Sequence, residues 1–280
     1  IDEVIKTPAT IRDPDTATAK PALERKNWNG EVEFKDVSFR YPGADSDALE
    51  HITFTARPGE TTAIIGSTGS GKSTVLKLAE RFHDVTSGRI TVDGVDVRDV
   101  SQHALRAQLG YVPQAAFLFS GTIASNVGYG VDDADEDRIR AAADVAQASD
   151  FIAERPEGLA TPISQGGTNV SGGQRQRLAI ARALATDARA YLFDDSFSAL
   201  DYKTDAALRH ELSSRLGGKT VVIVAQRIST VLNADQIVVL DDGRIVGAGT
   251  HEQLMESCQA YREIAMSQLS EEELKGGDAR

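Results

Sequence analysis

The sequence predicts an α/β protein, and three patterns support this fold class. The segments "AYLFDD" and "TVVIVAQ" are short continuous apolar runs, which are typical of parallel strands covered on both faces. The segments "EDRIRAAADVAQASDFI" and "GGQRQRLAIARALA" carry apolar residues three to four positions apart, which is the spacing of an amphipathic helix. A glycine-rich loop connects the predicted strand "TTAIIG" to a helical stretch over residues 72–83. Strands and helices are therefore interspersed along the chain, as in α/β proteins.

Further elements are predicted in chain order. "EVEFKDVSF", from Glu31, alternates apolar and polar residues, which indicates a strand with one buried face, and "ITFTA" and "RITVDG" are predicted as further strands. "VSQHALRAQLG" has the apolar spacing of a helix. Asp242-Gly243 lies between two alternating runs and predicts a β-hairpin. We therefore expect one folded domain over residues 30–268.

This domain is predicted to lie between two polar flanks. Residues 1–29 hold Pro8, Pro14 and Pro21 among Thr, Ala, Asp and Lys, which is the composition of a linker. Residues 269–280 form a polar tail that we expect to fray. The chain opens on "IDEVIKTPAT", without Met or a signal peptide, so we expect it to be a piece of a longer protein.

The composition argues against several classes of protein. Hydrophobic residues make up 41% of the 280 residues and charged residues 26%, as in soluble globular proteins with a core. The net charge of −12 argues against a nucleic-acid partner. Cys258 is the single cysteine, so the chain cannot form an internal disulfide. The sequence has no run of 18 or more apolar residues, so no membrane-spanning helix is predicted.

Residues 66–74, "GSTGSGKST", fit the phosphate-binding pattern G-x-x-x-x-G-K-[ST]. The glycines allow backbone N–H groups to turn inward onto phosphate oxygens, and the following helix adds the partial positive charge of its N-terminus. Lys72 is predicted to reach the β- and γ-phosphates, and the Ser73 hydroxyl to bind Mg²⁺. The predicted nucleotide-binding residues of the loop are Ser67, Thr68, Gly69, Ser70, Gly71, Lys72, Ser73 and Thr74.

A carboxylate ligand for the metal is predicted at the end of a buried strand. Asp194 directly follows the apolar run "AYLF". A phosphate-binding loop needs such a carboxylate, and Asp194 is predicted to hold Mg²⁺ through water. The alternative is a strand-end aspartate that caps the next helix.

A second phosphate site is predicted in "VSGGQRQRLAIARAL", residues 170–184. Ser171 and the two glycines after it form a helix N-terminus with free N–H groups. One nucleotide cannot easily lie on two separate helix N-termini of the same chain. It can lie between two chains arranged head to tail, so this pattern predicts a shared site in a dimer.

These motifs, in this order, resemble the nucleotide-binding domain of ATP-binding cassette (ABC) transporters, the exporter type in particular, over about residues 30 to 268. By this resemblance, Tyr41 in "FRYPG" stacks on adenine, and Gln114 in "YVPQ" joins the Mg²⁺ site and senses the membrane domain. "FLFSGTIASNV", from Phe117, is similar to the exporter segment that faces the coupling helices. The signature motif is matched by Ser171, Gly172, Gly173 and Gln174, and the loop that crosses the dimer interface by "SALD", ending at Asp201.

The resemblance implies a fold, cofactors and partners. The implied fold is a RecA-like P-loop NTPase core with an antiparallel β subdomain and an α-helical signature subdomain at about residues 115–186. The implied cofactors are ATP and Mg²⁺, and the implied activity is that of an ATPase. The implied partner is the protein's own transmembrane domain, expected before residue 1 because "IDEVIKTPATI" is similar to the segment after the last transmembrane helix of exporter half-transporters. The implied location is the cytoplasmic face of the cell membrane.

The sequence departs from the family pattern at the expected catalytic positions. The hydrolytic base is usually a glutamate directly after the metal aspartate, and here it is Asp195, which is shorter by about 1.5 Å of reach. The strand "TVVIVAQ" should end in a switch histidine and ends in Gln226. Glutamine can donate a hydrogen bond to the γ-phosphate, but it cannot titrate as an imidazole does. "ISQGG", residues 163–167, differs from many exporters and is interpreted as minor variation.

We interpret the two substitutions as a degenerate ATP site, which holds nucleotide and hydrolyses it slowly or not at all. The intact signature would then serve a second, non-identical half-transporter with Glu and His at the matching positions. The alternative is a neutral variant that still hydrolyses, which would be an active homodimeric exporter.

Two other readings of the sequence are an ATPase subunit of an ABC importer and a relative that acts on ribosomes or DNA. "FLFSGTI" and the linker-like start argue against the importer subunit. The single cassette, the lack of a heptad run and the net charge of −12 argue against the ribosome or DNA relative.

Overall fold

The computed structural model describes residues 9–15, 28–132 and 134–269. The strands in chain order are β1 Val32–Phe39, β2 Leu49–Ala56, β3 Thr61–Gly66, β4 Ser87–Val92, β5 Val95–Asp96, β6 Leu109–Val112, β7 Gly121–Thr122, β8 Pro162–Ile163, β9 Ala190–Asp194, β10 Thr220–Val224, β11 Gln236–Asp241 and β12 Arg244–Gly249. The helices are α1 Lys72–Ala79, α2 Gln102–Arg106, α3 Ile123–Val127, α4 Glu136–Val145, α5 Ser149–Ala153, α6 Gly172–Ala185, α7 Tyr202–Arg215, α8 Ile228–Val231, α9 His251–Ser257 and α10 Gln259–Gln268.

The central sheet has the strand order β12-β11-β3-β10-β9-β6. The strands from β11 to β6 run parallel, and β12 pairs with β11 in the antiparallel direction through the hairpin at Asp242-Gly243. All residues of β9 and β10 are buried, as their continuous apolar runs predict. The α/β class, the parallel centre and the hairpin are thus confirmed.

The strands near the start of the described chain form a second sheet. Its order is β2-β1-β4-β5, and every pairing in it is antiparallel. β1 buries alternate residues at its start, because one of its faces packs into the molecule. This sheet matches the predicted antiparallel part of the fold.

The central sheet separates two hydrophobic cores. Successive residues of a strand point to opposite faces, so Ile65 and Phe193 enter one core while Ile64 and Leu192 enter the other. The first core also contains residues of α3, α4 and α6, and the second contains residues of β1, β2 and α1. The helical layer and the antiparallel sheet therefore lie on opposite faces of the parallel strands.

Three predicted helices differ from the observed ones. The helix predicted over residues 72–83 ends at Ala79. In "VSQHALRAQLG", α2 ends at Arg106, and Leu109 starts β6 because it pairs with Ala190 of β9. The helix predicted from Glu136 is split into α4 and α5, because Gln147 between them has φ +56°, a left-handed conformation that ends a helix.

Part of the predicted linker contacts the folded domain. The Arg12 carbonyl accepts a hydrogen bond from the Arg81 guanidinium at 3.1 Å, and the Asp13 carboxylate accepts one from the Gln102 amide at 2.8 Å. Residues 1–8 and 16–27 of the predicted linker lie outside the described residues, and so do residues 270–280 of the predicted tail. Within the described ranges, none of the helices has the length and hydropathy needed to cross a bilayer.

Candidate functional site

The predicted phosphate loop lies between β3 and α1, at the edge of the sheet where the parallel strands end. Two of its glycines have no room for a side chain. A Cβ at Gly66 would lie 2.0 Å from the Leu240 carbonyl oxygen, and one at Gly71 would lie 2.6 Å from Leu49 Cδ2. Gly71 also has φ +96° and directly precedes α1. The close packing of these glycines on their neighbours fixes the shape of the loop.

Lys72 is the first residue of α1, and its side chain folds back over the loop. Its Nζ donates hydrogen bonds to the carbonyl oxygens of Gly66 at 2.9 Å and Ser67 at 2.7 Å. Burial lowers the pKa of Lys72, while the nearby carboxylates of Asp195 and Asp194 oppose that shift. The ammonium group thus lies against the backbone of the first residues of the loop.

The other predicted loop residues differ in exposure. Residues 67–69 are exposed, so their backbone is open to a ligand. Ser70 is buried, and its Oγ has no hydrogen-bond partner among the described residues. Thr74 Oγ1 lies 3.0 Å from the Tyr41 hydroxyl. The loop therefore combines open backbone with one buried polar group that lacks a partner.

Tyr41, the predicted adenine contact, is brought to the phosphate loop by its bond to Thr74. Its ring lies edge-on to Phe39, with centroids 4.7 Å apart, and edge-on to His83, with centroids 5.3 Å apart. These contacts hold the half-buried ring in one orientation beside the start of α1. The Tyr41 ring thus lies beside the start of α1, and its contact with adenine stays a prediction.

Ser73 and Asp194, two of the three predicted metal ligands, are paired directly, while the third, Gln114, bonds to the neighbouring Asp195. Ser73 Oγ donates to Asp194 Oδ1 at 2.7 Å, and the Tyr111 hydroxyl also forms a hydrogen bond with Asp194. Burial raises the pKa of Asp194, the hydrogen bonds from Ser73 and Tyr111 oppose the shift, and the Asp195 charge adds to it. A cation at this position would favour the ionised carboxylate.

The donor set around Asp194 fits Mg²⁺. It consists of hard oxygen donors, one carboxylate and one hydroxyl. No cluster of three or more His, Cys, Asp or Glu side chains suited to a metal occurs in the part of the chain that the structure describes. Mg²⁺ is commonly held by one or two carboxylates together with substrate phosphates, and Asp194 would supply such a carboxylate next to the predicted phosphate loop.

Asp195, Gln114 and Gln226 form one hydrogen-bonded group. Asp195 Oδ2 accepts from Gln226 Nε2 at 2.7 Å and from Gln114 Nε2 at 3.2 Å. The Asp195 backbone has φ +46°, and its amide donates to the Val224 carbonyl at 2.9 Å. One carboxylate oxygen is thus shared by two amide donors, at the edge that also carries Asp194.

The predicted signature residues form the N-terminus of α6. Ser171 Oγ accepts from the Gln174 amide at 3.2 Å, and Gln174 Oε1 accepts from the Ser171 amide at 3.1 Å, which is a capping box. A Cβ built on Gly172 would meet no atom within 4 Å. Across the described ranges, no hydrogen bond or ion pair joins residues 171–174 to residues 66–74. The two predicted phosphate sites are therefore not bonded to each other within one chain.

Asp201, the predicted dimer-loop residue, caps the start of α7. Its carboxylate accepts from the Thr204 amide at 3.0 Å and from Thr204 Oγ1 at 2.7 Å. These bonds lower the pKa of Asp201. The next residue, Tyr202, is 76% exposed. The loop before α7 thus presents a fixed carboxylate and a free aromatic ring at the surface.

Tyr111 is a residue of this site that the sequence reasoning missed. It lies in β6, three positions before Gln114, and its hydroxyl contacts the strand-end Asp194. The signal was present in "YVPQ", because a tyrosine just before the end of a strand beside β9 can reach the same edge. Burial and the charge of Asp194 both raise the pKa of Tyr111, so its hydroxyl keeps its proton.

Comparisons with known proteins show the family of the chain. The family model for ABC transporters matches residues 49–198. The chain is 48% identical over 271 residues to an ABC transporter ATP-binding protein of Mycobacterium tuberculosis, covering 96% of this chain and 46% of that protein. It is 44% identical over 260 residues to an ATP-dependent lipid A-core flippase of Vibrio vulnificus, covering 92% of this chain and 44% of that protein.

A solved structure shows the same fold. It is a bacterial Atm1-family ABC exporter with ATP bound, with a TM-score of 0.89 and 37% sequence identity, covering 96% of this chain and 46% of that chain. The chain spans about half the length of the curated relatives that it matches. The chain belongs to the ABC transporter family, as a P-loop ATPase domain that binds ATP.

Proposed function

We propose that this chain is the ATP-binding domain of an exporter half-transporter at the cytoplasmic face of the cell membrane. It binds Mg-ATP between its own phosphate loop and the signature of a second half-transporter arranged head to tail. Its own site hydrolyses ATP slowly or not at all. Its signature completes the competent site of a non-identical partner that has Glu and His at the positions of Asp195 and Gln226.

Nucleotide binding follows from the phosphate loop and the Ser73–Asp194 pair. Lys72 and the backbone of residues 67–73 would bind the β- and γ-phosphates. Ser73, Asp194 and Gln114 would hold Mg²⁺, which when bound neutralises phosphate charge. The Tyr41 ring, fixed beside Thr74, would stack on the adenine. The phosphate loop and Asp194 follow strands of the central sheet, and the hydrogen bond to Thr74 brings Tyr41 to them from the antiparallel sheet.

The open face of the signature supports the head-to-tail arrangement. Packing within this chain does not require a glycine at position 172, since a Cβ there meets nothing within 4 Å. A glycine there suits close approach by a ligand from outside the chain. Ser171 Oγ accepts from the Gln174 amide, while the amides of Gly172 and Gly173 have no acceptor within the helix and carry the positive end of its dipole. A phosphate held by another chain would satisfy both features.

The Asp195 group is the observation that supports the degenerate site. A general base must hold the attacking water and accept its proton. The aspartate is about 1.5 Å shorter than a glutamate, and a displacement of about 1 Å can cost about a hundredfold in rate. Its Oδ2 is already shared by the amides of Gln114 and Gln226. Gln226 adds no charge toward the γ-phosphate.

The variant Asp195→Glu/Gln226→His is expected to turn over ATP at least about tenfold faster than the wild-type chain. It restores the reach of the base and a titratable switch residue, so hydrolysis should rise while ATP affinity stays within about twofold. Steady-state phosphate release and equilibrium ATP binding would be measured on both purified chains. If the wild-type chain hydrolyses as fast as the variant, Asp195 is a working base, and an active homodimer replaces the asymmetric pair.

Gly172→Ala is expected to separate folding from the function of the signature. The substitution should leave the melting temperature unchanged or slightly raised, because alanine favours a helix over glycine by about 1 kcal/mol. Within the Asp195→Glu/Gln226→His chain it should lower turnover at least about tenfold, since the methyl group would stand between the helix and the nucleotide of the other chain. Thermal melting and phosphate release would be measured together.

Gly217→Ala is the matched control for this experiment. Gly217 is exposed, and a Cβ there would meet one atom, the Ser214 carbonyl oxygen at 3.8 Å. The control should keep both stability and turnover. Equal turnover in Gly172→Ala and Gly217→Ala would contradict a role of the signature at a shared site.

An aromatic patch, defined here as Phe117, Phe119 and Tyr129, supports a transmembrane partner. All three rings are exposed, at 46%, 38% and 56%. The Arg182 guanidinium lies over the Phe119 and Tyr129 rings and donates to Asn126, so the patch is held in place. Exposed aromatic clusters mark interaction surfaces. We assign the patch to the membrane domain of the same protein, and the exporter and flippase relatives support export as the process.

A further inference from the structure

Gln268, the last residue of α10, joins this helix to the segment that follows β10. Its Nε2 donates to the Gln226 carbonyl oxygen at 2.9 Å, and its Oε1 accepts from the Ile228 amide at 2.8 Å. Both partners are backbone groups on either side of Arg227. We propose that Gln268 is a positioning residue, which fixes the backbone at Gln226 so that the Gln226 side chain meets Asp195 and the γ-phosphate.

The segment after β10 contains backbone hydrogen-bonding groups whose partner is the Gln268 side chain. α8 begins at Ile228, and the first amides of a helix have no acceptor within the helix. The N-cap residue Arg227 provides no side-chain cap. The side-chain oxygen of Gln268, Oε1, accepts from the Ile228 amide. Its side-chain nitrogen, Nε2, donates to the backbone carbonyl of Gln226. A primary amide can donate and accept in this way at once, because it carries an NH₂ group and a carbonyl oxygen.

Helix α10, which carries Gln268, is held in place by buried residues. Tyr261 and Ala265 are fully buried in the core that contains α3, α4 and α6. Gln268 follows them at helical spacing, so it lies on the same face of α10 at the point where that face reaches the surface. The Tyr261 hydroxyl is also bonded to His251 Nδ1 at 2.8 Å, which ties α10 to α9.

The contact bears on the ATP site through two consecutive hydrogen bonds. Gln268 holds the Gln226 carbonyl at 2.9 Å, and Gln226 Nε2 holds Asp195 Oδ2 at 2.7 Å. A loose backbone at Gln226 would let its side chain leave Asp195, and small displacements of this kind lower catalytic rates strongly. The contact between α10 and the Gln226 backbone is independent of the proposed function. The effect of this contact on ATP hydrolysis rests on the proposed function.

The test compares Gln268→Ala with Gln268→Glu and with Gln259→Ala. Gln268→Ala removes both contacts, while Gln268→Glu keeps an acceptor for the Ile228 amide and loses the donor to the Gln226 carbonyl. Gln259 is the matched control, because it is an exposed glutamine at the other end of α10 whose side chain bonds to Glu263 at 2.9 Å. Each variant is made in the wild-type chain and in Asp195→Glu/Gln226→His.

The first measurement is hydrogen–deuterium exchange of the backbone amides of residues 226–231. Gln268→Ala is expected to raise their exchange about tenfold, and Gln259→Ala to leave it unchanged. Gln268→Glu should keep the Ile228 amide protected. This result does not depend on ATP, so it decides the contact even if the proposed function fails. Unchanged exchange in Gln268→Ala would overturn the proposal.

The second measurement is turnover in whichever background hydrolyses ATP. Gln268→Ala is expected to lower kcat about tenfold with less than about a twofold change in KM, because it displaces a group that acts on the reacting phosphate. Gln259→Ala should change neither. Faster exchange with unchanged kcat would leave Gln268 as a structural contact and overturn the positioning role. Failure of Asp195→Glu/Gln226→His to exceed the wild type would instead count against the degenerate site alone.

Discussion

Lys72→Met is expected to weaken ATP binding by about a hundredfold. Lys72 is 9% exposed, and its ammonium group lies over the carbonyls of Gly66 and Ser67, inside the loop that would hold the phosphates. Charge-assisted hydrogen bonds contribute about 1.5 to 3 kcal/mol, and the triphosphate adds several negative charges within reach. Methionine keeps the apolar stem of the side chain and removes the charge and the donors. Equilibrium titration with a fluorescent ATP analogue and Mg²⁺ measures the effect.

Lys35→Met is the charge-matched control for Lys72→Met. Lys35 lies in β1 of the antiparallel sheet, and its Nζ lies 2.6 Å from Glu33 at the surface. The control changes the net charge by the same amount and should keep ATP affinity within about twofold, since exposed ion pairs contribute little. Thermal melting of both variants shows whether they remain folded. Equal affinities in the two variants would contradict the assignment of Lys72 to the phosphates.

The parts of the fold that the sequence predicts are those determined by local pattern. The continuous apolar runs of β9 and β10 predict buried parallel strands because both faces must be covered. The helix α6 begins and ends as its apolar spacing and its N-cap serine predict. The phosphate loop is predicted with its context, since it needs a strand before it and a helix after it.

The elements that differ from prediction depend on distant partners. Leu109 and Gly110 end a stretch with a helical pattern in the sequence, yet Leu109–Val112 form β6 because β9, about eighty residues later, offers an unpaired edge. Gln147 breaks a helix by a left-handed backbone, which its sequence neighbours do not indicate. Tertiary pairing and single-residue backbone states outweigh local propensity in both cases.

The site shows the same division. The loop residues and Asp194 carry a sequence pattern, because their chemistry demands particular residue types at fixed spacing. Gln268 carries none, because it acts through hydrogen bonds to backbone groups of distant residues, and the contact of Tyr111 with Asp194 depends on the pairing of β6 with β9. The bond between Asp195 and Gln226 links the two departures from the family pattern in one contact, which the sequence could not place. This contact makes the two substitutions a single structural unit.

Glu80 is expected to make the stability of the protein depend on pH. Glu80 is the residue directly after α1, and it is almost fully buried. Its carboxyl oxygen Oε1 has no hydrogen-bond partner among the described residues. The nearby Arg106 donates to the backbone carbonyl of Glu80 at 3.2 Å. Burial raises the pKa of Glu80 from 4.5 to about 8, and the charge of Arg106 opposes this shift. The folded protein therefore holds this carboxyl protonated at neutral pH.

The sign of the effect follows from proton uptake on folding. Between pH 4.5 and about 8 the folded state binds this proton and the unfolded state does not, so the free energy of unfolding falls as pH rises. The slope is at most about 1.4 kcal/mol per pH unit, and the stability cost is complete above the folded pKa. Glu80→Gln keeps the shape of the neutral group and cannot titrate. Its stability relative to the wild-type chain should therefore increase from pH 5 to pH 8, by on the order of 3 kcal/mol.

Urea unfolding of both chains across this pH range measures the difference between their free energies of unfolding. The contributions of the other titrating groups are the same in both chains and cancel in this difference. Glu80→Ala adds the cost of a cavity, which should not depend on pH, so its curve should run parallel to that of Glu80→Gln. Parallel curves for the wild-type chain and Glu80→Gln would instead show that Glu80 ionises normally in the folded state. The result bears on the ATP site, because Glu80 and Asp194 both raise the pKa of Tyr111, the residue that holds Asp194. A Glu80 that is neutral at neutral pH leaves Asp194 as the negative charge that acts on that hydroxyl, and Glu80 adds its own charge only where it ionises, above about pH 8.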